Sequence, residues 1–86
     1  MEQPLMNLKE KIQFTLKKYS IATPSKYAKQ MLYAFEQREQ GNLNYIIHEQ
    51  VGSITKFDTE GRMLVWDFNY LLGECMLQNN PYFFTN

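Results

Sequence analysis

The chain of 86 residues is long enough for one small domain and too short for two, and its 44% hydrophobic residues and zero formal net charge exclude a disordered or strongly charged chain. The single cysteine, Cys75, excludes an internal disulfide. No apolar run approaches the roughly 18 residues of a membrane span. The first residues do not resemble a signal peptide. We therefore expect one cytoplasmic domain over residues 1–86 that does not enter a membrane, with residues 1–6 and 79–86 as candidates for flexible ends.

The first predicted element is a helix over residues 7–19. Asn7 followed three residues later by Glu10 is the pattern of a capping box, in which each side chain accepts a hydrogen bond from the other residue's backbone. Apolar residues recur at steps of three and four along this segment and form one stripe: Leu5, Leu8, Ile12, Leu16 and Tyr19.

A second helix is predicted over residues 24–40. Thr23 or Ser25 can cap it, and Pro24 is tolerated in a first turn, where a missing N–H costs nothing. Gly41 stands where glycine commonly follows the end of a helix. The predicted buried side consists of Ala28, Met31, Leu32 and Phe35.

The segment over residues 43–51 fits two patterns. Leu43, Ile46, Ile47 and Val51 fit one face of a short helix, whereas Leu43, Tyr45, Ile47 and Val51 fit a strand. We favour the short helix, and Gly52 ends the segment in either case.

Residues 53–78 decide the architecture. In one interpretation a helix over residues 59–78 begins after Asp58 and buries a stripe of Leu64, Phe68, Leu71, Leu72 and Cys75. In the other, residues 58–61 form a turn between strands over 53–57 and 62–66. We expect a helix from at least Asp67 onward, and we predict an all-α fold of three to four packed helices. The alternative is an α+β fold with a β-hairpin near residues 53–66.

No residues form a strong catalytic motif. Cys75, His48 and an acid such as Asp67 could form a nucleophile and base only if thiol and imidazole were in contact, and nothing in their spacing favours that contact. Phosphate loops, CxxC pairs and HExxH patterns are absent from the sequence. We therefore expect a protein that is not an enzyme and that needs neither a cofactor nor a metal.

A nucleic-acid interpretation depends on four lysines around the junction of the first two helices, with tyrosines between them that could stack on bases. The order of two helices, a short helix and a hairpin also resembles a winged helix-turn-helix in outline. A sequence pI of about 6.6 is low for such a domain. The candidate phosphate contacts are Lys17, Lys18, Lys26 and Lys29.

The preferred hypothesis is a small inhibitor- or adaptor-like protein that binds a protein partner, and its compact design resembles accessory proteins of phages and mobile elements. Tyrosine and tryptophan are enriched at interface hot spots, although for Trp66 we favour a place in the core. A net charge of +3 in residues 1–40 and −3 in residues 41–86 also permits a homodimer that pairs opposite patches. The candidate partner-binding residues are Trp66, Tyr70, Tyr82, Phe83 and Phe84.

Overall fold

The computed structural model describes residues 6–79, which form three helices and a three-stranded antiparallel sheet. The fold is therefore α+β, and the predicted all-α fold is wrong. The elements in chain order are α1 (Leu8–Lys18), α2 (Lys26–Glu39), β1 (Tyr45–His48), β2 (Ser53–Phe57), β3 (Met63–Asp67) and α3 (Phe68–Asn79).

Helix α1 confirms the predicted first helix and its cap. The Asn7 side chain accepts a hydrogen bond from the Glu10 backbone N–H at 2.9 Å, and the Glu10 carboxylate accepts one from the Asn7 N–H at 3.0 Å. These two bonds satisfy donors that the first turn of a helix leaves free. Of the predicted stripe, Leu8, Ile12 and Leu16 lie in the core and Tyr19 packs against it, whereas Leu5 lies outside the described residues.

Helix α2 also lies where the sequence predicts it, and Ser25 rather than Thr23 is its cap. The Ser25 hydroxyl accepts a hydrogen bond from the Ala28 N–H at 3.2 Å and donates one to the Glu74 carboxylate of α3. One side chain thus begins α2 and joins it to α3, 49 residues further along the chain.

The strands β1, β2 and β3 are neighbours in that order, so within residues 6–79 β2 is central and the other two are edges. The favoured short helix over residues 43–51 is wrong, because residues 45–48 pair with β2. The helix beginning at residue 59 is wrong too, since residues 63–67 pair with β2 on its other side. The hairpin alternative and the helix after Asp67 are confirmed.

Local chemistry at the two ends of β2 explains why the hairpins form. The Asp58 carboxylate accepts hydrogen bonds from the backbone N–H groups of Glu60 and Arg62, at 2.9 and 2.8 Å, and so closes the β2–β3 turn. Gly52 and Gly61 have φ of +77° and +79°, a conformation that a helix does not contain and that glycine adopts without strain.

The helices pack against one face of the sheet. Tyr45, Ile54 and Trp66 project from that face into a core that also contains Leu8, Met31 and Leu71 from the three helices. Among residues 6–79, no helix is both long enough and apolar enough to cross a membrane.

Candidate protein-interaction surface

Strand β3 exposes three consecutive apolar side chains, although it belongs to a sheet with a well-buried core. Met63, Leu64 and Val65 are 61%, 49% and 52% exposed. Because successive side chains of a strand point to opposite faces, three exposed residues in a row mean that the described residues leave both faces of this part of β3 partly uncovered. We call Met63, Leu64 and Val65, with the outward backbone groups of Met63 and Val65, the β3 edge.

The direction of the backbone groups in β3 follows from two hydrogen bonds beside it. The Asp58 N–H donates to the Arg62 carbonyl at 2.9 Å, and the Phe68 N–H donates to the Gly52 carbonyl at 2.8 Å. Bonding direction alternates along an antiparallel strand, so the even-numbered residues Leu64 and Trp66 bond to β2. The N–H and C=O groups of Met63 and Val65 point away from the sheet.

The last outward N–H of β3 is already occupied. The Asp67 N–H donates to the hydroxyl of Tyr27, on the first turn of α2, at 2.6 Å. This bond confirms that odd-numbered residues point outward, and it leaves Met63 and Val65 as the part of the strand open to pairing. Natural proteins usually protect such edges with a charged residue, a proline or a bulge, and residues 63–66 contain no charged residue or proline.

The sheet face opposite the helices continues this apolar surface. Ile46, Thr55 and Val65 form a row across the three strands, because Ile46 pairs with Thr55 and Thr55 with Val65. Ile46 is 41% exposed, whereas Thr55 in the centre is buried. The Thr55 Oγ1 lies 3.1 Å from the His48 Nε2. We call this the open face.

On the helix side, a cleft of about 480 Å³ lies between β3 and the first turns of α2. The Trp66 Nε1–H donates to the Gln30 side-chain oxygen at 2.9 Å, and both side chains line the cleft. Burial raises the pKa of the Tyr27 hydroxyl. The hydrogen bond from the Asp67 backbone N–H opposes this shift, and the charges of Asp67, Tyr70 and Glu74 add to it. The residues that line the cleft are Lys26, Tyr27, Gln30, Leu64, Val65 and Trp66.

The candidate partner-binding residues from the sequence fall in different places. Trp66 is 8% exposed and belongs to the core, whereas Tyr70 is 62% exposed and its ring centroid lies 4.6 Å from that of Tyr27. Tyr82, Phe83 and Phe84 lie outside the described residues. Sequence reasoning missed Met63, Leu64 and Val65, and the available signal was the unbroken apolar run from Met63 to Trp66 in a segment that also fits a hairpin.

The four candidate phosphate-binding lysines are all exposed. Lys17 and Lys18 lie in the last turn of α1, and Lys26 and Lys29 lie in the first turns of α2. The third helix of the winged helix-turn-helix outline is absent from the described residues, since the segment between α2 and the hairpin is β1.

Cys75 and His48 lie on opposite sides of the sheet. Cys75 is 2% exposed within the core, and burial, followed by the nearby Glu74 carboxylate, raises the pKa of its thiol. His48 pairs with Ser53, which places its imidazole on the open face. The fold therefore does not bring the thiol to the imidazole. Within residues 6–79, no group of three or more histidine, cysteine or acidic side chains is arranged to hold a metal ion.

The fold and this surface together define a class: a small α+β domain with an antiparallel sheet covered by helices on one face. No protein-family model matches the chain, and neither a curated protein nor a solved structure matches it at a significant level.

Proposed function

We propose that this domain is a non-catalytic binding protein of the inhibitor or adaptor type, which engages a protein partner through the β3 edge and the open face beside it. The observation that carries the proposal is the exposure of Met63, Leu64 and Val65 on an edge strand with outward-pointing backbone groups. The proposal includes a cytoplasmic location, since a free thiol such as Cys75 remains reduced there.

The exposed side chains give the surface a favourable energy of association. Complete burial of a valine, leucine or methionine side chain stabilises by about 1.5–3 kcal/mol relative to full exposure, and these three side chains are already about half buried. A partner that covers them would therefore gain roughly 2–4 kcal/mol from these residues before the cost of association. Backbone pairing with Met63 and Val65 would add orientation.

A protein partner fits this surface better than a nucleic acid does. The β3 edge contains no basic residue between Met63 and Asp67, and phosphate contacts supply most of the affinity for nucleic acid. The exposed lysines lie on α1 and α2 instead. A nucleic acid at those lysines predicts binding that falls steeply with salt and that is lost on replacing Lys17, Lys18, Lys26 and Lys29 with alanine.

The test is a comparison of two variants in affinity capture from nuclease-treated lysate of the source cells. The first variant carries Met63→Lys and Val65→Lys, which charge the β3 edge. The matched control is Phe14→Lys on α1, where Phe14 is 53% exposed and distant in sequence from β3. Both variants must retain the native circular dichroism spectrum and melting transition.

We expect a bound protein that the native chain and the Phe14 variant retain and that the doubly charged variant loses. The purified partner should then bind the β3 variant at least about tenfold more weakly, because charged groups would replace buried apolar contacts. Equal capture by all three chains would overturn the assignment of the surface. A protein captured from untreated lysate and lost after nuclease treatment would favour the lysines of α1 and α2.

A further inference from the structure

We propose that the partner at the β3 edge is β3 of a second copy of this chain, paired antiparallel about a two-fold axis that passes beside Leu64. The inference deepens the proposed function and rests on it, since it names the occupant of the same surface. The arrangement would join two three-stranded sheets into one sheet of six strands with the helices of both copies on the same side.

Symmetry restricts how two copies of β3 can pair. In an antiparallel pair related by a two-fold axis perpendicular to the sheet, the residue nearest the axis lies opposite its own copy. For Met63 and Val65 both to lie opposite strand residues of the second copy, the axis must lie beside Leu64 or beside Val65, because an axis beside Met63 would place Val65 opposite Gly61, outside β3. With Leu64 central, Met63 lies opposite Val65 of the second copy; with Val65 central, Met63 lies opposite Asp67 of the second copy.

The hydrogen bonds of β3 favour the axis beside Leu64. In that register the outward N–H and C=O groups of Met63 and Val65 bond to those of Val65 and Met63 of the second copy, which gives four hydrogen bonds. The Asp67 N–H is not needed and remains bonded to the Tyr27 hydroxyl at 2.6 Å. The register with Val65 central requires that N–H, so each copy would have to break its bond to Tyr27.

The side chains agree with the same register. Met63 and Val65 of both copies would form a cluster of four apolar side chains on the open face. On the helix side, the two Leu64 side chains would meet at the clefts of both copies, which Leu64 itself lines. Asp67, beside which the Tyr27 hydroxyl lies, would be opposite Gly61 of the second copy, and Gly61 has no side chain to collide with that ring.

Charge permits antiparallel self-pairing, because the acidic β2–β3 turn would lie near both Lys26 and Asp67 of the second copy, whose charges cancel. The β2–β3 turn carries Asp58, Glu60 and Arg62, so its net charge is −1, and Glu60 and Arg62 are largely exposed. In the proposed register this turn lies beside the end of β3 of the second copy. Exposed Lys26, at the N-terminus of α2, lines the cleft there. The zero net charge of the chain adds little general repulsion between copies.

The opposite edge of the sheet is less suited to pairing. The Phe57 N–H donates to the Asn44 carbonyl at 2.9 Å, so alternation turns Tyr45 and Ile47 of β1 outward. The Tyr45 N–H points to the Asn42 carbonyl of its own chain, at 3.5 Å, and Tyr45 itself is buried beneath α2. Only Ile47 offers an outward N–H on β1, whereas β3 offers two.

The closing experiment measures the monomer–dimer equilibrium of the purified full chain by sedimentation equilibrium. Three variants are compared: Met63→Lys, Val65→Glu, and the double variant with both changes. With Leu64 central, each single change places a charge opposite an apolar residue and raises the dissociation constant about tenfold or more. The double variant brings lysine opposite glutamate in both symmetric pairs, so its dimer should recover by at least about tenfold.

The register with Val65 central makes a different prediction for the same variants. There Met63→Lys would face Asp67 and strengthen the dimer, and Val65→Glu would face its own copy and remain repulsive in the double variant. Recovery only in the double variant therefore supports the axis beside Leu64. A stronger dimer with Met63→Lys alone overturns it.

A backbone variant tests pairing without adding charge. Val65→Pro removes an outward N–H and leaves the bonds of β3 to β2 in place, which edge strands tolerate. We expect a folded monomer. A Val65→Pro variant with a native circular dichroism spectrum that still forms the native dimer overturns strand pairing at this edge.

The outcomes separate the inference from the proposed function. A native chain that remains monomeric up to about 1 mM, a weak affinity limit, overturns the second copy as the occupant. If the variant with Met63→Lys and Val65→Lys still loses a captured partner of a different sequence, the interaction surface is supported and its occupant is that protein. If the chain is monomeric and no capture depends on β3, both fail.

Discussion

Two neighbouring rows of the same sheet have similar composition and opposite environments. Ile47, Ile54 and Trp66 form a row on the helix side, where Ile54 is fully buried and Trp66 is 8% exposed. The next row, Ile46, Thr55 and Val65, faces away from the helices, and its two outer members are 41% and 52% exposed.

The difference between these rows shows which apolar residues the fold requires. A sheet with one solvated face normally alternates apolar and polar residues along each strand. Strand β3 breaks that alternation, since Met63 and Val65 are apolar on the open face. We expect their removal to cost the folded monomer little, and their exposure supports the proposed interaction surface.

The distinction between the two rows would be wrong if both contributed equally to the free energy of unfolding. We expect Ile54→Ala to lower the free energy of unfolding by about 2–5 kcal/mol, because the change leaves a cavity beneath three helices. Val65→Ala, the matched truncation on the open face, should change it by no more than about 0.5 kcal/mol. Urea denaturation at low protein concentration, where self-association is minimal, measures both.

A second prediction concerns how the helix layer is held together. Ser25→Ala should lower the free energy of unfolding by about 1–2 kcal/mol, since it removes the cap of α2 and the hydrogen bond to Glu74. Thr23→Ala is the control, because Thr23 is exposed and the sequence alone made it an equal candidate for the cap. Similar losses in the two variants would contradict the assignment of Ser25.

The sequence predicted the helix layer better than the sheet, and local signals explain why. Asn7, Glu10 and Ser25 act within three residues of their partners, so the boundaries of α1 and α2 can be predicted from short patterns. Residues 45–48 fit two periods, and only their pairing with β2 decides between them. That pairing is a tertiary contact that no local pattern contains.

The long helix predicted over residues 59–78 fails for a related reason. Strand β3 ends at Asp67 and α3 begins at Phe68, so no loop separates the two patterns. Leu64 and Phe68 are four residues apart, and the apolar spacing of a helix continues across the junction by coincidence. The candidate surface was missed because exposure of β3 depends on which strand is the edge and which face the helices cover.

The Tyr27 hydroxyl distinguishes the end of β3 at Asp67, where the outward N–H is bonded, from the β3 edge, where, within residues 6–79, the outward groups are not. Tyr27→Phe should lower the free energy of unfolding by about 0.5–1.5 kcal/mol, because the Asp67 N–H loses its acceptor. Tyr33→Phe on the exposed side of α2 is the control and should have no measurable effect. Amide hydrogen exchange at Asp67 should become faster in the Tyr27 variant alone; unchanged exchange would show that the hydroxyl does not protect this group.

The smallest expected effect is a pH dependence that arises on the covered side of the sheet. The pKa of Cys75 is raised, chiefly by burial, so the folded chain holds the thiol proton more strongly than the unfolded chain. The unfolded state therefore releases this proton first, and stability decreases as pH rises past about 8.5, the ordinary pKa of a free thiol. Tyr27 should extend the decrease above about pH 10, because its pKa is also raised by burial.

Urea titrations between about pH 7 and 11 test this assignment. In Cys75→Ala, stability should be lower throughout because of the lost sulfur contact, but it should no longer fall between about pH 8.5 and 10. The later decrease from Tyr27 should remain, and Tyr27→Phe should remove that part alone. A decrease of the same size and position in Cys75→Ala would show that the titrating group lies elsewhere, so that the buried thiol is not what couples the core to pH.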